Sequence, residues 1–122
     1  MTTERRVIIE MGMGNDQYGR DYTKAAIRAV EDAIRHASLP LFEALGIEHA
    51  AMRVQVTIGV QAPESVDLAA VAAHLPRGRA EAKAVKGGLD VIDAETGLHI
   101  VIASAAVEAF LPAEAAAGWR AR

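Results

Sequence analysis

The 122-residue chain contains no cysteine, which removes disulfides, thiolate metal centres and cysteine nucleophiles from consideration. Aromatic residues are scarce, limited to Tyr18, Tyr22, Phe42, Phe110 and Trp119. Lysine and arginine are interleaved with acidic residues, for a net charge of −3. A chain with few stacking rings and no basic stripe is not expected to bind nucleic acid. No apolar stretch approaches a membrane span, and the segment before Glu10 is too short for a signal-peptide core, so a cytoplasmic protein with no membrane partner is expected. His36, His49, His74 and His99 form no H-x-H or H-x₃-H pair, and no G-x-S-x-G occurs. Neither a histidine metal site nor a nucleophile elbow is therefore expected, and no cofactor is implied. His99 alone among the histidines falls in a segment that reads as a central strand.

What the chain has in quantity is alanine. A core of small side chains packs its elements closely and buries little apolar area per helix, and association between copies is a common way to add more. The length fits a single domain over residues 1–122. Residues 6–11 are β-branched and short and read as a strand; residues 12–20 read as a loop. Tyr22, Ala26, Ala29, Val30, Ala33 and Ile34 recur every three or four positions and predict an amphipathic helix over 21–37 with Asp21 as its N-cap. Leu39-Pro40 then stops or kinks the helix, with one further turn over 41–45.

Met52, Val54, Val56, Ile58 and Val60 alternate with Arg53, Gln55 and Thr57, the pattern of a half-buried strand. Asp67 is placed to cap a short helix over 68–75. Residues 81–93 and 98–109 read as two long strands joined by a loop over 94–97, with Gly87-Gly88 at a bulge in the first. The second is apolar on both faces and is expected to be central. The tail after Pro112 reads as alanine-rich and loosely held, pinned by Trp119. The fold class is thus α+β, in the order β-α-β-α-β-β: one mixed sheet of four strands with two helices on one face. The other face would carry Ile8 and either Val101 or Ile102 beside Arg53, Gln55 and Thr57. That is too apolar for plain solvent surface, so a second subunit is expected against it.

The stretch Glu10-Met11-Gly12-Met13-Gly14-Asn15-Asp16-Gln17-Tyr18-Gly19 holds the candidate site. Its residue types are all favoured turn formers, and a purely structural turn explains them. Glycines before a helix can also cradle a phosphate, but Glu10, Asp16 and Asp21 would repel one. Those same carboxylates are hard-cation ligands in type, at a spacing that matches no EF-hand. In the fourth reading Asp16 or Glu10 is an acid or base toward a polar small molecule, with the Tyr18 hydroxyl nearby. Gly12, Gly14, Asn15, Tyr18 and Gly19 would then line the pocket, joined by Arg53 from a neighbouring sheet.

Gly12-x-Gly14-x-Asp16-x-Tyr18-Gly19 resembles the G-x-G-x-D-x-H-G signature of an uncharacterised family of short bacterial proteins with plant relatives. Asp21-x-Thr23-Lys24-Ala25-Ala26, Leu39-Pro40 and Val56-Thr57-Ile58-Gly59-Val60 extend the likeness over most of the chain. The family brings no assigned activity, and Tyr18 stands where its histidine would be. A tyrosine, with a free pKa of about 10, replaces a hydrogen-bonding histidine better than a metal ligand or a neutral-pH base. The element order also resembles the trimeric chorismate mutase fold of bacilli and one repeat of cyanuric acid hydrolase and barbiturase. These resemblances imply a homo-oligomer, a trimer first. They also imply a hydrolase or isomerase of a cyclic polar metabolite; the competing expectation is a non-catalytic assembly or regulatory module.

Overall fold

The computed structural model describes residues 4–35, 52–75 and 79–112. The expectations for His36, Leu39-Pro40, the 41–45 turn, His49 and the tail with Trp119 lie outside these residues. Five strands are described: β1 (Glu4–Asp16), β2 (Arg53–Val60), β3 (Arg79–Lys86), β4 (Leu89–Ile92) and β5 (His99–Pro112). Between them run α1 (Tyr22–Arg35), a 3₁₀ turn (Pro63–Ser65) and α2 (Leu68–Ala73). The strands form one mixed sheet in the order β1-β5-β2-β3, with β4 also beside β5. β5 is antiparallel to β1, β2 and β4, while β2 and β3 are parallel. This is the α+β class expected. α1 rests on β1 and β5, α2 rests on β3, and the two helices touch each other.

The central place of β5 follows from its composition. Val101, Ala103, Ala105, Val107, Ala109 and Leu111 are buried under the helices, while Ile100, Ile102, Ala106 and Phe110 are half-buried on the other face. From Met52 to Ile58 the alternation holds residue by residue, and Met52, Val54, Val56, Ile58 and Val60 lie in the core. Both predicted N-caps form. The Asp21 Oδ1 accepts from the Lys24 amide at 3.0 Å and the Asp67 Oδ1 from the Ala70 amide at 3.1 Å.

Two elements differ from expectation. β1 does not end at the glycines: it runs on to Asp16, paired with β5 from Glu4↔Pro112 to Asp16↔Val101. Gly12 and Gly14 therefore lie inside a strand, and only the residues after Asp16 turn. The glycines are there because α1 packs directly on the strand's backbone. A Cβ on Gly12 would stand 2.3 Å from the Ala29 carbonyl oxygen, and one on Gly14 would stand 2.4 Å from the Ala29 amide nitrogen. The helix contributes its own smallest side chains to this contact, the buried stripe Ala25, Ala29 and Ala33. Glycine within a strand commonly marks such an approach of another backbone.

The second difference is at Gly87-Gly88, which is not a bulge in one long strand. It separates β3 from β4, which pair with different neighbours: β3 with β2 and β4 with β5. The chain crosses the end of β2 there, with the Gly87 amide donating to the Val60 carbonyl at 2.9 Å. Gly88 makes the crossing in a left-handed conformation (φ 62°), and a Cβ on it would meet the Ile102 oxygen at 2.3 Å. The hairpin that follows joins β4, rather than a strand of 81–93, to β5.

These contacts predict a steep contrast between glycines. Gly14→Ala pushes a methyl into backbone that cannot yield and should cost about 3 kcal/mol or more. Gly97→Ala has open space around it and only a left-handed backbone (φ 75°) to accommodate, so it should cost about 1–2 kcal/mol. Urea midpoints followed by circular dichroism measure both.

Candidate functional site

Asp16 ends β1 and is buried, with 4% of its surface exposed. Its Oδ2 accepts from the backbone amides of Gly19 and Asp21, both at 3.0 Å. This side-chain turn bends the chain from the strand into α1. The left-handed residue in the turn is Arg20 (φ 50°) rather than one of the preceding glycines. The other oxygen, Oδ1, faces the Lys24 ammonium at 3.9 Å and the Arg28 guanidinium at 3.8 Å. Arg28 also donates to the Asn15 carbonyl at 2.7 Å. The Asp21 amide is the strongest influence holding the Asp16 carboxyl below the usual range. Burial opposes it, and the Gly19 amide, Lys24 and Arg28 add to it.

Asn15, Asp16, Gln17, Tyr18, Gly19, Asp21, Lys24 and Arg28 line an open cavity of about 590 Å³. A second hollow of about 500 Å³ adjoins it along the outer edge of β1, sharing Asn15 and Arg28 and adding Met13, Gly14, Glu31 and Arg35. Two carboxylates, Asp16 and Asp21, face two cations, Lys24 and Arg28, across the first cavity. It is therefore neutral overall and rich in hydrogen-bonding groups. Tyr18 stands at its rim with 85% of its surface exposed. A carboxylate held ionised by amides and cations positions its neighbours well. It exchanges protons near neutral pH poorly, since a general base works best with a pKa close to that pH.

The structure brings together Asn15, Asp16, Tyr18 and Gly19 of the residues singled out in the sequence, with Gly14 at the adjoining hollow. Gly12 lies under α1, and the close approach it permits is to that helix. Glu10 is six positions before Asp16 on the same strand, about 20 Å at the rise of an extended chain. The two cannot address one bond. Arg53 is more distant still within the chain, since it pairs in register with Phe110 while Asp16 pairs with Val101. Its guanidinium is engaged by Glu4 at 3.1 Å and Glu81 at 3.4 Å, over the Phe110 ring. Among the described residues no cluster of three or more His, Asp or Glu is arranged to hold a metal ion.

One polar cluster escaped the sequence reading. The Tyr22 hydroxyl donates to the Asp90 carboxylate, and His99 Nε2 lies 2.9 Å from the same oxygen. Asp90 Oδ1 and His99 Nδ1 are buried without a partner among the described residues. The hydrogen bond from Tyr22 to Asp90 raises the phenol to about 12, with burial adding to the effect. Tyr22 had been legible only as an apolar position of the helix. The available signal was Asp90 itself, an aspartate inside a strand segment that disfavours it. The cluster ties the start of α1 to β4 and β5. Thr23 does the same toward α2, accepting from the Asp67 amide at 2.8 Å.

With this geometry in view, comparison with known proteins places the chain. A model of conserved hypothetical proteins, the Lin0512 family, matches residues 6–109. The chain belongs to that family. It is also similar to a crystal structure from Nostoc punctiforme, described as an FtsZ-like protein of unknown function. The two are 38% identical over 92% of this chain and 99% of that one, with a TM-score of 0.79. No curated protein matches. Among the described residues no helix is long and apolar enough to cross a membrane.

Two titrations follow. The folded-state pKa of Asp16 is depressed, so its charge contributes stability above the unfolded value of about 3.9 and loses it as pH falls through the folded value. Asp16→Asn should cost about 1–3 kcal/mol at pH 7. Urea midpoints should show the gap from the parent closing below about pH 4. For Tyr22 the pKa is raised, so the stability of the neutral phenol is fully present below about 10 and is lost as pH rises through the folded value. Ultraviolet titration should find one tyrosine with a midpoint near 12, absent in Tyr22→Phe.

Proposed function

We propose that this Lin0512 protein binds a polar small molecule in the cavity beside Asp16, within a homo-oligomer that places the cavity near a subunit boundary. The observation that carries the reading is the pair of cations at its mouth. A buried carboxylate with both oxygens occupied sets Lys24 and Arg28 side by side, next to the free amides and hydroxyl of Asn15, Gln17 and Tyr18. Pre-set donors of this kind suit a ligand with carbonyl or carboxylate oxygens. The balancing carboxylates favour a neutral or zwitterionic molecule over a polyanion. In this reading Asp16 orients the binding groups, and ligand contact falls to Lys24, Arg28, Asn15, Gly19 and Tyr18. Hydrolysis or isomerisation of a cyclic polar metabolite is the enzymatic version, and it rests on the element-order resemblance expected from the sequence, which does not transfer chemistry.

The second reading is a non-catalytic assembly or regulatory module. The observation in its favour is that Gly12, Gly14, Asp16 and Asp21 all have complete structural roles without a ligand. The two readings separate on side chains that fold does not need. Lys24 and Tyr18 are exposed, so Lys24→Ala and Tyr18→Ala should melt close to the parent. A thermal-shift panel of divalent cations, phosphate, cyclic amides and carboxylates is then applied to all three proteins. A ligand at 100 times its dissociation constant adds about 2.7 kcal/mol, several degrees in a domain this size. The binding reading expects a shift with an amide or carboxylate that Lys24→Ala abolishes. No shift with any compound supports the module instead.

A further inference from the structure

The sheet has one face under α1 and α2 and another with no described element on it. On that second face the strand registers set Met11 and Met13 beside Ala106 and Ser104, and Leu89 and Val91 beside Ile102 and Ile100. Among the described residues nine large apolar side chains are exposed, and six of them (Ile9, Met11, Met13, Val85, Leu89 and Val91) lie on this face. Scattered exposed apolar residues need no explanation, but a cluster confined to one face marks a contact surface.

The remainder of the face is charged, and most of its charges are engaged with one another. Arg6 pairs with Glu108 at 3.1 Å, Arg53 pairs with Glu4 and Glu81, and with Arg79 and Lys83 at register positions of the same face the described set is four cations against three carboxylates. A surface with one net charge spread among mutually paired groups meets an identical surface with little repulsion, whereas the whole chain carries −3. The apolar cluster and the ion pairs occupy opposite ends of the strands, so the face divides into an apolar half and a polar half. Four strands about 4.8 Å apart and about ten residues long present about 650 Å² per copy, so two copies bury about 1,300 Å², within the range of stable complexes.

We propose that this helix-free face is the contact surface between copies of this chain. The inference deepens the oligomer of the preceding section by naming its surface. Only the closeness of the cavity to that surface, through Met13 and Asn15, rests on the binding reading. The association itself stands on the sheet.

Light scattering on the full chain at about 100 µM tests it without any ligand, so its failure is separate from that of the binding reading. The expected mass is at least twice the 12.9 kDa of one chain. Met11→Lys combined with Leu89→Lys places charge on two exposed positions and should yield a folded monomer by circular dichroism. A second measurement needs no variant. Methionine oxidation by hydrogen peroxide follows exposure, so Met11 and Met13 should oxidise several-fold more slowly in concentrated than in dilute protein. A monomeric parent, an oligomer that survives both substitutions, or equal oxidation rates at the two concentrations would overturn the proposal.

Discussion

The contact on which the rest of the fold depends is the one between two backbones, α1 against β1. Without Cβ atoms at Gly12 and Gly14, and with only alanine methyls on the helix, the main chains approach to van der Waals distance. Such a contact gains little per residue from transfer out of water, because so little apolar surface is involved. Its value lies in position. A helix seated this low beside an edge strand can reach past it, and two of its side chains do. Asp32 accepts from the Met13 amide at 3.0 Å and Arg28 donates to the Asn15 carbonyl at 2.7 Å. Both backbone groups belong to the outer edge of β1, which has β5 on its other side. The same Arg28 faces Asp16. The spacing that packs the helix therefore also builds the cavity wall, and glycines fourteen or so residues from Arg28 belong to the site through the helix rather than through any ligand.

Much of this was legible in sequence where the signal is local. The alternation of Met52 to Val60 depends only on which face is buried. The N-caps at Asp21 and Asp67 depend on amides three residues away, and the apolar stripe of α1 on a period of 3.6 residues. Asp16 was also singled out, because aspartate before a glycine-containing turn is a local pattern. What it does there was not legible. A carboxylate poised for chemistry and one tied to two amides look alike in sequence, and only the positions of the Gly19 and Asp21 N–H groups distinguish them.

The misreadings have a common cause in contacts between distant residues. Glycine breaks strands by local preference, so Gly12 and Gly14 argued for a loop; their compensation is a helix whose alanines come later in the chain. Gly87-Gly88 looked like a bulge because both sides of it are strand-like. Whether one strand continues or two begin depends on which neighbour each side meets, and β2 and β5 are separated from it by very different stretches of chain. Tyr22, Asp90 and His99 meet for the same reason, brought together by a helix start and a hairpin with no shared local pattern. Pairing partners, unlike caps and periods, are properties of the whole sheet.

The edges and faces of the sheet are treated differently, and the difference bears on the proposed contact between copies of the chain. An unpaired edge strand invites another strand, and proteins commonly block it. On β1 the block comes from Asp32 and Arg28, which occupy the Met13 amide and the Asn15 carbonyl. On β3, Lys83 and Lys86 lie on an exposed strand, and lysine is a common deterrent at an edge. Both ends of the path β1-β5-β2-β3 are therefore unsuited to continuing the sheet from one copy to the next. On the open face Arg6 is engaged by Glu108 and Arg53 by Glu4 and Glu81, and the apolar residues are left outward. Extension by added strands is opposed where it would begin, while stacking through side chains meets no comparable barrier. The proposed association through Met11, Met13 and Leu89 would preserve every hydrogen bond by which α1 closes the edge of β1.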